Sequence, residues 1–499
     1  AVLDTANAFT NATAINVTNA DTSTLDLSGA TGTKAAVTVT GAGVLTLGTL
    51  NASIATVDAS ASTGGVTATL NAAQTSVKGS SGVDTITVAV PTTSISVTTG
   101  AGNDKVNIAA LDVTTTATAI DGTNEIIDGG DGTDTLVTDE ADLTVANLKT
   151  NFNKAANFEA LEATAAVTAF AANGFTGINS FTFTADNTAA AGRTYTMESA
   201  DSLTLTNSNS VNAITINPVL DSGTDVLNLT LAASTANLTQ FGITASQVET
   251  INITSSDTDA TAAHTNTITT LTVQNNTKIN LSGAADLTLT TATGTELTID
   301  GSAATGKLNI TVVGGNDVIT GGSAVDTLNG AGGVDTINGN GGADVITGGA
   351  GADNLTGGDG ADIFVIGVAD ATIDAAGVGA DKITDFNTGG SDIIRLAAAN
   401  NVAAADVVAP TAGATGSIAA GGKLTFAAAD DTLTEQIVIA INETGLNELV
   451  FWENGGNTYV YASGAAGDGS NDQLIQLTGV VGLTTITESV ATAGDFTIA

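Results

Sequence analysis

The stretch 332–367, GGVDTINGNGGADVITGGAGADNLTGGDGADIFVIG, constrains this 499-residue chain more than any other: an aspartate returns at every ninth residue. Over six consecutive periods the aspartates are Asp317, Asp326, Asp335, Asp344, Asp353 and Asp362. Two residues after each stands a bulky apolar side chain: Ile319, Leu328, Ile337, Ile346, Leu355 and Phe364. A three-residue strand points only its middle side chain inward, so this residue fills a narrow core while its neighbours face solvent. Glycines let the backbone turn through positive φ and bring carbonyl oxygens close together. The aspartate adds carboxylate oxygens to those carbonyls. Hard oxygen donors, six to eight in an irregular cage, are what Ca²⁺ prefers. The plainer alternative is a set of glycine-rich turns in which each aspartate caps its own backbone. Six unbroken periods with an apolar eighth position argue against it.

Written as G-G-x-G-x-D-x-U-x, the unit resembles the calcium-binding nonapeptide of the RTX family. The resemblance implies a β-roll with two nonapeptides per coil, one half-turn each. Asp317, Asp335 and Asp353 then stack along one edge, and Asp326, Asp344 and Asp362 along the other. Each Ca²⁺ lies between successive turns of one edge. Asp359, at the third position of the last unit, is a further candidate ligand.

Fainter copies come earlier. GGDGTDTLV (129–137) matches in full and supplies Asp134 and Asp131, and the nine residues before it put Glu125 and Ile127 at the corresponding positions. GSSGVDTIT (79–87) carries Asp84, and AGNDKVN (101–107) carries Asp104. A lone turn cannot complete a cage without a stacked neighbour, so calcium and a simple turn both stay open for these. Asp225, in SGTDVLNLTL, reads as an ordinary turn. DKITDFNTGGSDIIRL (381–396) resembles the segment that closes RTX β-rolls. Its Asp381, Asp385 and Asp392 suit a capping ion and structural turns equally well.

Elsewhere, short segments alternate apolar and hydroxyl residues between Gly, Ser, Asn or Asp, as in VLTLG (44–48) and VTATLNA (66–72). From Leu271, segments start at Ile279, Leu287, Leu297 and Leu308, a spacing that fits an antiparallel sandwich or a solenoid of stacked rungs. The series runs without a break into the repeat, which favours the solenoid. Val145, Leu148 and Phe152 have helical spacing and predict one short helix within 142–164. The phrases NFEALEA (157–163), QVETINITS (247–255) and SIATVDASA (53–61) look like one rung used three times. The expected fold is all-β: a right-handed parallel β-solenoid with an RTX β-roll, short irregular β-structure and minor helical insertions. Its expected divisions are Thr/Ala-rich solenoid at 1–110, isolated RTX-like calcium turns at 111–140, and a β-rich segment with one short helix at 141–250. Solenoid rungs at 251–313, the calcium β-roll at 314–366 and a C-terminal β cap with a secretion-signal region at 367–499 complete it.

Charge narrows the partners. Acidic residues number 51 against 11 basic, a net charge of -40, which repels nucleic acid and anionic membranes and attracts cations. Charged residues are nevertheless only 12% and apolar ones 42%, so this is no charge-swollen disordered chain. There is no cysteine, which removes disulfides and thiolate metal sites and leaves metal as the staple. No apolar run approaches the roughly 18 residues of a membrane span, so membrane insertion is not expected. The sequence given starts without an initiator Met or a signal peptide, and its last residues, GDFTIA, resemble the uncleaved signal of type I secretion. A terminal edge strand reads the same way.

Catalysis finds no constellation. The one histidine, His264, cannot make H-E-x-x-H, and no G-x-S-x-G elbow occurs. Trp452 is the one tryptophan, and VFWEN places it in a core rather than on a sugar platform. Arg193 and Arg395 are too isolated for an anion clamp. The expectation is therefore not an enzyme. The Thr/Ala-rich rungs, with phrases such as VETINIT and STLDLSGA, resemble the RTX-containing bacterial S-layer proteins of the Caulobacter type. That resemblance implies a secreted, cell-surface subunit whose main partner is itself, in a two-dimensional lattice held by Ca²⁺. It also implies anchoring to lipopolysaccharide, for which no motif is recognisable in these residues. The rival reading is a secreted RTX adhesin or matrix protein that binds a glycan or receptor.

Overall fold

Strands of three residues carry too few hydrogen bonds to stand alone, so the repeat persists only where each coil pairs with the next. The computed structural model is built this way. It describes residues 2–3, 12–31, 35–88, 95–108, 125–140, 142–185, 193–207, 209–218, 225–367 and 380–396, and beyond these 401–402, 417–418, 423–425, 436, 448–462, 473–483, 486–488 and 495–498. Within the expected divisions 111–140 and 367–499, residues 111–124, 368–379, much of 397–447 and 463–472 lie outside the described residues. The chain forms two compact units, residues 1–221 with 227–229 and residues 222–226 with 230–499, and each is a parallel β-solenoid.

In the second unit the strands Val318–Thr320, Thr336–Asn338, Asn354–Thr356 and Asp381–Ile383 stack in parallel on one sheet. Leu308–Val312, Thr327–Asn329, Val345–Thr347, Ile363–Ile366 and Ile393–Leu396 stack on the other. Register puts the apolar eighth positions in two columns, Ile319–Ile337–Leu355–Ile383 and Ile310–Leu328–Ile346–Phe364–Ile394, all fully buried. Each such side chain contributes about 1.5–3 kcal/mol by leaving water. The rungs from Leu271 also resolve: Lys278–Gly283 and Thr298–Ala304 join the first sheet, Leu271–Val273 and Asp286–Thr293 the second. Successive rungs alternate between the sheets, so the short spacing is a half-coil and the solenoid reading holds.

Asp381–Ile383 pairs in parallel with Gln473–Leu477, which is antiparallel to Asn457–Ala462. That strand forms a hairpin with Glu448–Asn454 through Gly455 and Gly456, whose φ values of 58° and 84° fit a type I′ turn. The antiparallel meander occupies a sheet edge that parallel coils alone leave open. Trp452 is fully buried there and stacks on Tyr459 at 5.7 Å. Asp495–Ile498, in the candidate secretion signal, pairs antiparallel with Ile393–Leu396 and with Ile486–Glu488.

The first unit stacks Leu45–Thr49, Val66–Thr69, Thr85–Thr87, Lys105–Asn107, Thr135–Thr138 and Ala160–Ala163 in one parallel sheet. Ala35–Gly41, Ile54–Ser62, Ser76–Lys78, Ile95–Thr98 and Glu125–Asp128 form another. A seven-residue helix, Ala146–Phe152, lies in the stretch with helical spacing and buries Leu148 and Phe152. Val145 stands outside it as the N-cap. Phe152 stacks on Phe175 at 6.0 Å, and Phe170 meets Phe181 edge-on at 4.5 Å. These coils are filled by rings where the repeat uses single side chains, aliphatic in every unit except that of Phe364.

Candidate metal centre

Each aspartate of the repeat stands immediately before its strand, where a side chain can reach back to the preceding coil. Asp335 Oδ1 accepts the backbone N–H of Asp317 at 2.8 Å, and Asp353 Oδ1 accepts that of Asp335 at 2.8 Å. On the other edge Asp344 Oδ1 takes the N–H of Asp326 at 2.8 Å and Asp362 Oδ1 that of Asp344 at 2.9 Å. Partners in these four bonds are 18 residues apart, one coil of two nonapeptides. The result is a ladder of carboxylates up each edge. It starts on apolar rungs, where the N–H groups of Leu297 and Leu308 bond Asp317 and Asp326 at 2.6 and 2.8 Å.

The second oxygen distinguishes a metal site from a row of caps. Oδ2 of Asp317, Asp335, Asp344 and Asp362 is fully buried and accepts no hydrogen bond. Asp326 differs, since its Oδ2 takes the N–H of Gly322 at 2.6 Å. A buried carboxylate oxygen without a donor costs several kcal/mol unless a cation meets it.

Glycines shape the surroundings of these oxygens. A Cβ on Gly330, Gly339 or Gly357 would collide with Oδ2 of Asp335, Asp344 or Asp362, so the first position of these units must be bare. At the fourth position, Gly333, Gly351 and Gly360 have φ of +131°, +147° and +147°, and a Cβ there would overlap the carbonyl oxygen of Gly315, Gly333 or Gly342 one coil earlier. Carbonyl oxygens are therefore aimed from each turn at the next, and the Cβ positions at Gly330 and Gly339 that meet the unsatisfied Oδ2 atoms also meet the carbonyl oxygens of Gly348 and Gly357 one coil later, at 2.8 and 2.6 Å. This donor set is all hard oxygen and low in charge, and it suits Ca²⁺. Among the described residues no three carboxylate or imidazole side chains cluster as a ready-made metal site, so backbone carbonyls must supply most ligands.

Burial, with neighbouring carboxylates adding to it, pushes Asp335 and Asp344 up to about 7. Burial also raises Asp317, Asp326 and Asp362 above the usual carboxylate range. Such groups hold protons, or a cation in their place.

The closing segment extends the ladder. Asp381 Oδ1 accepts the N–H of Asp353 at 3.0 Å and Asp392 Oδ1 that of Asp362 at 2.9 Å. Asp385 accepts the N–H groups of Gly357 and Gly358 at 2.9 and 2.7 Å. Asp392, which the sequence left open between a capping ion and a structural turn along with Asp381 and Asp385, is thus the top of one column. Asp359 is exposed and joins through its backbone, its N–H bonding Asn340 O at 2.7 Å.

In the first unit Asp84, Asp104 and Asp134 come together. Asp104 Oδ1 accepts the N–H of Asp84 and Asp134 Oδ1 that of Asp104, both at 2.7 Å. Glu159 ends the column, its Oε2 bonding the N–H of Asp134 at 2.8 Å. Burial raises Asp84 and Asp134 to about 6. Asp131 is exposed, in a backbone bridge with Ala101. Glu125 opens a strand of the other sheet with Ile95 as its register partner, so it is not stacked on a carboxylate.

Glu249 repeats the part of Glu159, giving Oε2 to the N–H of Asp225 at 2.8 Å. Sequence reading missed both glutamates, although the likeness of NFEALEA and QVETINITS was the signal. The third phrase departs: Ala55 stands at the glutamate position, and Asp58 accepts the Ser60 N–H and hydroxyl at 3.1 and 2.6 Å and lies 4.0 Å from Lys78 Nζ. His264 pairs with Asp257 at 3.1 Å, and Arg193 is buried beside the Tyr195 hydroxyl at 3.4 Å.

No curated protein matches the chain. Residues 310–337 and 329–364 match the family model of the RTX calcium-binding nonapeptide repeat, in four copies. The roll of the second unit is therefore built of RTX nonapeptide repeats, a unit that binds multiple Ca²⁺ ions.

Proposed function

We propose that the chain is an exported structural subunit that Ca²⁺ orders and that assembles with copies of itself into a bacterial surface layer. The observation that carries the calcium dependence is the pair of carboxylate columns with buried, donor-less Oδ2 atoms. Asp317, Asp335, Asp344, Asp353 and Asp362 are its ligands in the repeat, and Asp381, Asp385 and Asp392 close the roll. Extracellular calcium at about 10⁻⁴–10⁻³ M suits a low-charge cage of this kind. RTX-repeat proteins are typically exported by type I secretion, and among the described residues no helix is long and apolar enough to cross a membrane.

Self-assembly is supported by charge. With a net charge of -40, copies repel each other until a divalent cation screens or bridges them. The described residues assemble no catalytic constellation: the single histidine is held by Asp257, and Trp452 is enclosed. Electron microscopy of the purified chain tests the reading. Ordered sheets with millimolar Ca²⁺ that disperse in EGTA, with 314–396 losing structure first, are expected. Isolated rods under both conditions overturn self-assembly and leave the adhesin.

A further inference from the structure

We propose that the first unit holds a second calcium column, outside the matched repeats. It fills the two gaps between the stacked turns 79–84, 99–104 and 129–134, with Asp84, Asp104 and Asp134 as its carboxylates. The inference rests on reading such turns as calcium sites, but it uses different residues.

The turns read GSSGVD, TGAGND and GGDGTD, and the bonded aspartates are 20 and 30 residues apart, so no nine-residue period betrays them. Their geometry is nevertheless that of the roll. A Cβ on Gly100 would overlap Ser80 O, one on Gly130 would overlap Gly100 O, and one on Gly132 would overlap Gly102 O. Carbonyls at the second and fourth positions are thus aimed at the next turn, as between 333 and 351. Asp104 and Asp134 are 1% and 0% exposed, and in each Oδ2 has no hydrogen-bond partner. Caps alone would leave no such atom. Asp84 shows what satisfaction looks like: its Oδ1 takes the N–H of Val66 at 2.5 Å and its Oδ2 that of Ser80 at 2.7 Å. Each gap therefore contains one spare buried carboxylate oxygen, Asp104 in the lower and Asp134 in the upper. Above Asp134 the pattern stops, because Glu159 follows Asn157 and Phe158 with no glycine turn. The column takes two ions.

Hydrogen exchange of the full-length chain, with and without Ca²⁺, tests this alongside a count of bound ions by equilibrium dialysis. Calcium is expected to slow exchange at least tenfold in 79–107 and 125–137, as in 314–366. Asp104→Asn keeps an acceptor for the Asp84 N–H and removes the spare carboxylate oxygen of the lower gap. It should bind one ion fewer and lose protection within 79–107 while 314–366 keeps its own, whereas Asp335→Asn should lose protection in 314–366 and leave 79–107 unchanged. If 314–366 responds to calcium and 79–137 does not, the second column is overturned and the roll stands. If neither responds, both readings fail. Should Asp104→Asn not fold, the wild-type exchange pattern and Asp134→Asn decide.

Discussion

A repeat aspartate does two jobs with its two oxygens, and substitutions separate them. In Asp335→Asn the amide oxygen still accepts the Asp317 N–H, but the charge facing the gap is gone. At calcium about a hundredfold above its dissociation constant, occupancy of one site is worth about 2.7 kcal/mol. Melting of Asp335→Asn should show a loss of that order with Ca²⁺ and little change in EDTA. Asp335→Ala also strands a buried N–H, so it should lose a further ~1–3 kcal/mol even in EDTA.

Proton competition follows from the same burial. A carboxyl raised to about 7, as in Asp335 and Asp344, holds its proton more tightly folded than unfolded. The folded state then binds more protons across the interval from the ordinary carboxylate value of about 4 up to about 7, and stability falls as pH rises through it. Without calcium, the roll should unfold at lower denaturant at pH 8 than at pH 5. With saturating calcium the difference should shrink or invert, because the ion requires the deprotonated form. Equal midpoints at both pH values in EDTA would show that the carboxylates are not buried as described.

At the level of the coil, register is the controlling quantity. Deleting 332–349, one full coil, rejoins strands on their own sheets and leaves both apolar columns continuous. That variant should fold, with a slightly lower melting temperature and fewer bound ions. Deleting 332–340 shifts every later strand to the opposite sheet, so Asp381–Ile383 can no longer meet Gln473–Leu477. Circular dichroism and limited proteolysis should find its C-terminal meander loose.

Much of this was legible in the sequence, because a strict period leaves one inward side chain per strand: the columns of Ile337 and Leu355 follow directly. The half-coil rungs from Leu271 were legible too, though not the sheet each would join. What stayed hidden has a physical reason. Asp84, Asp104 and Asp134 were legible as faint copies of the unit, but their stacking in one column was not, because coil length varies there and a period search responds only to length. Glu159 and Glu249 do an aspartate's work from turns without glycine.

For the whole molecule, -40 net charge and buried carboxylates act together. Monovalent salt screens the first and cannot replace an ion in the second. High NaCl without Ca²⁺ should therefore compact the chain, as measured by its radius in X-ray scattering, while leaving exchange in 314–366 fast. Recovery of slow exchange with NaCl alone would remove the specific role of a divalent cation.

In every rung of the ladder the acceptor comes from the later coil and the donor from the earlier one. The stack is consequently polar, like a zipper with dissimilar stops. Any plain apolar rung can serve as the lower stop, since Leu297 and Leu308 need offer only a peptide N–H. The upper stop has to be made to order, because whatever follows Asp353 and Asp362 must bring its own carboxylates, as Asp381 and Asp392 do. Lengthening such an array is thus a matter of insertion beneath a fixed terminator, never of simple extension past it.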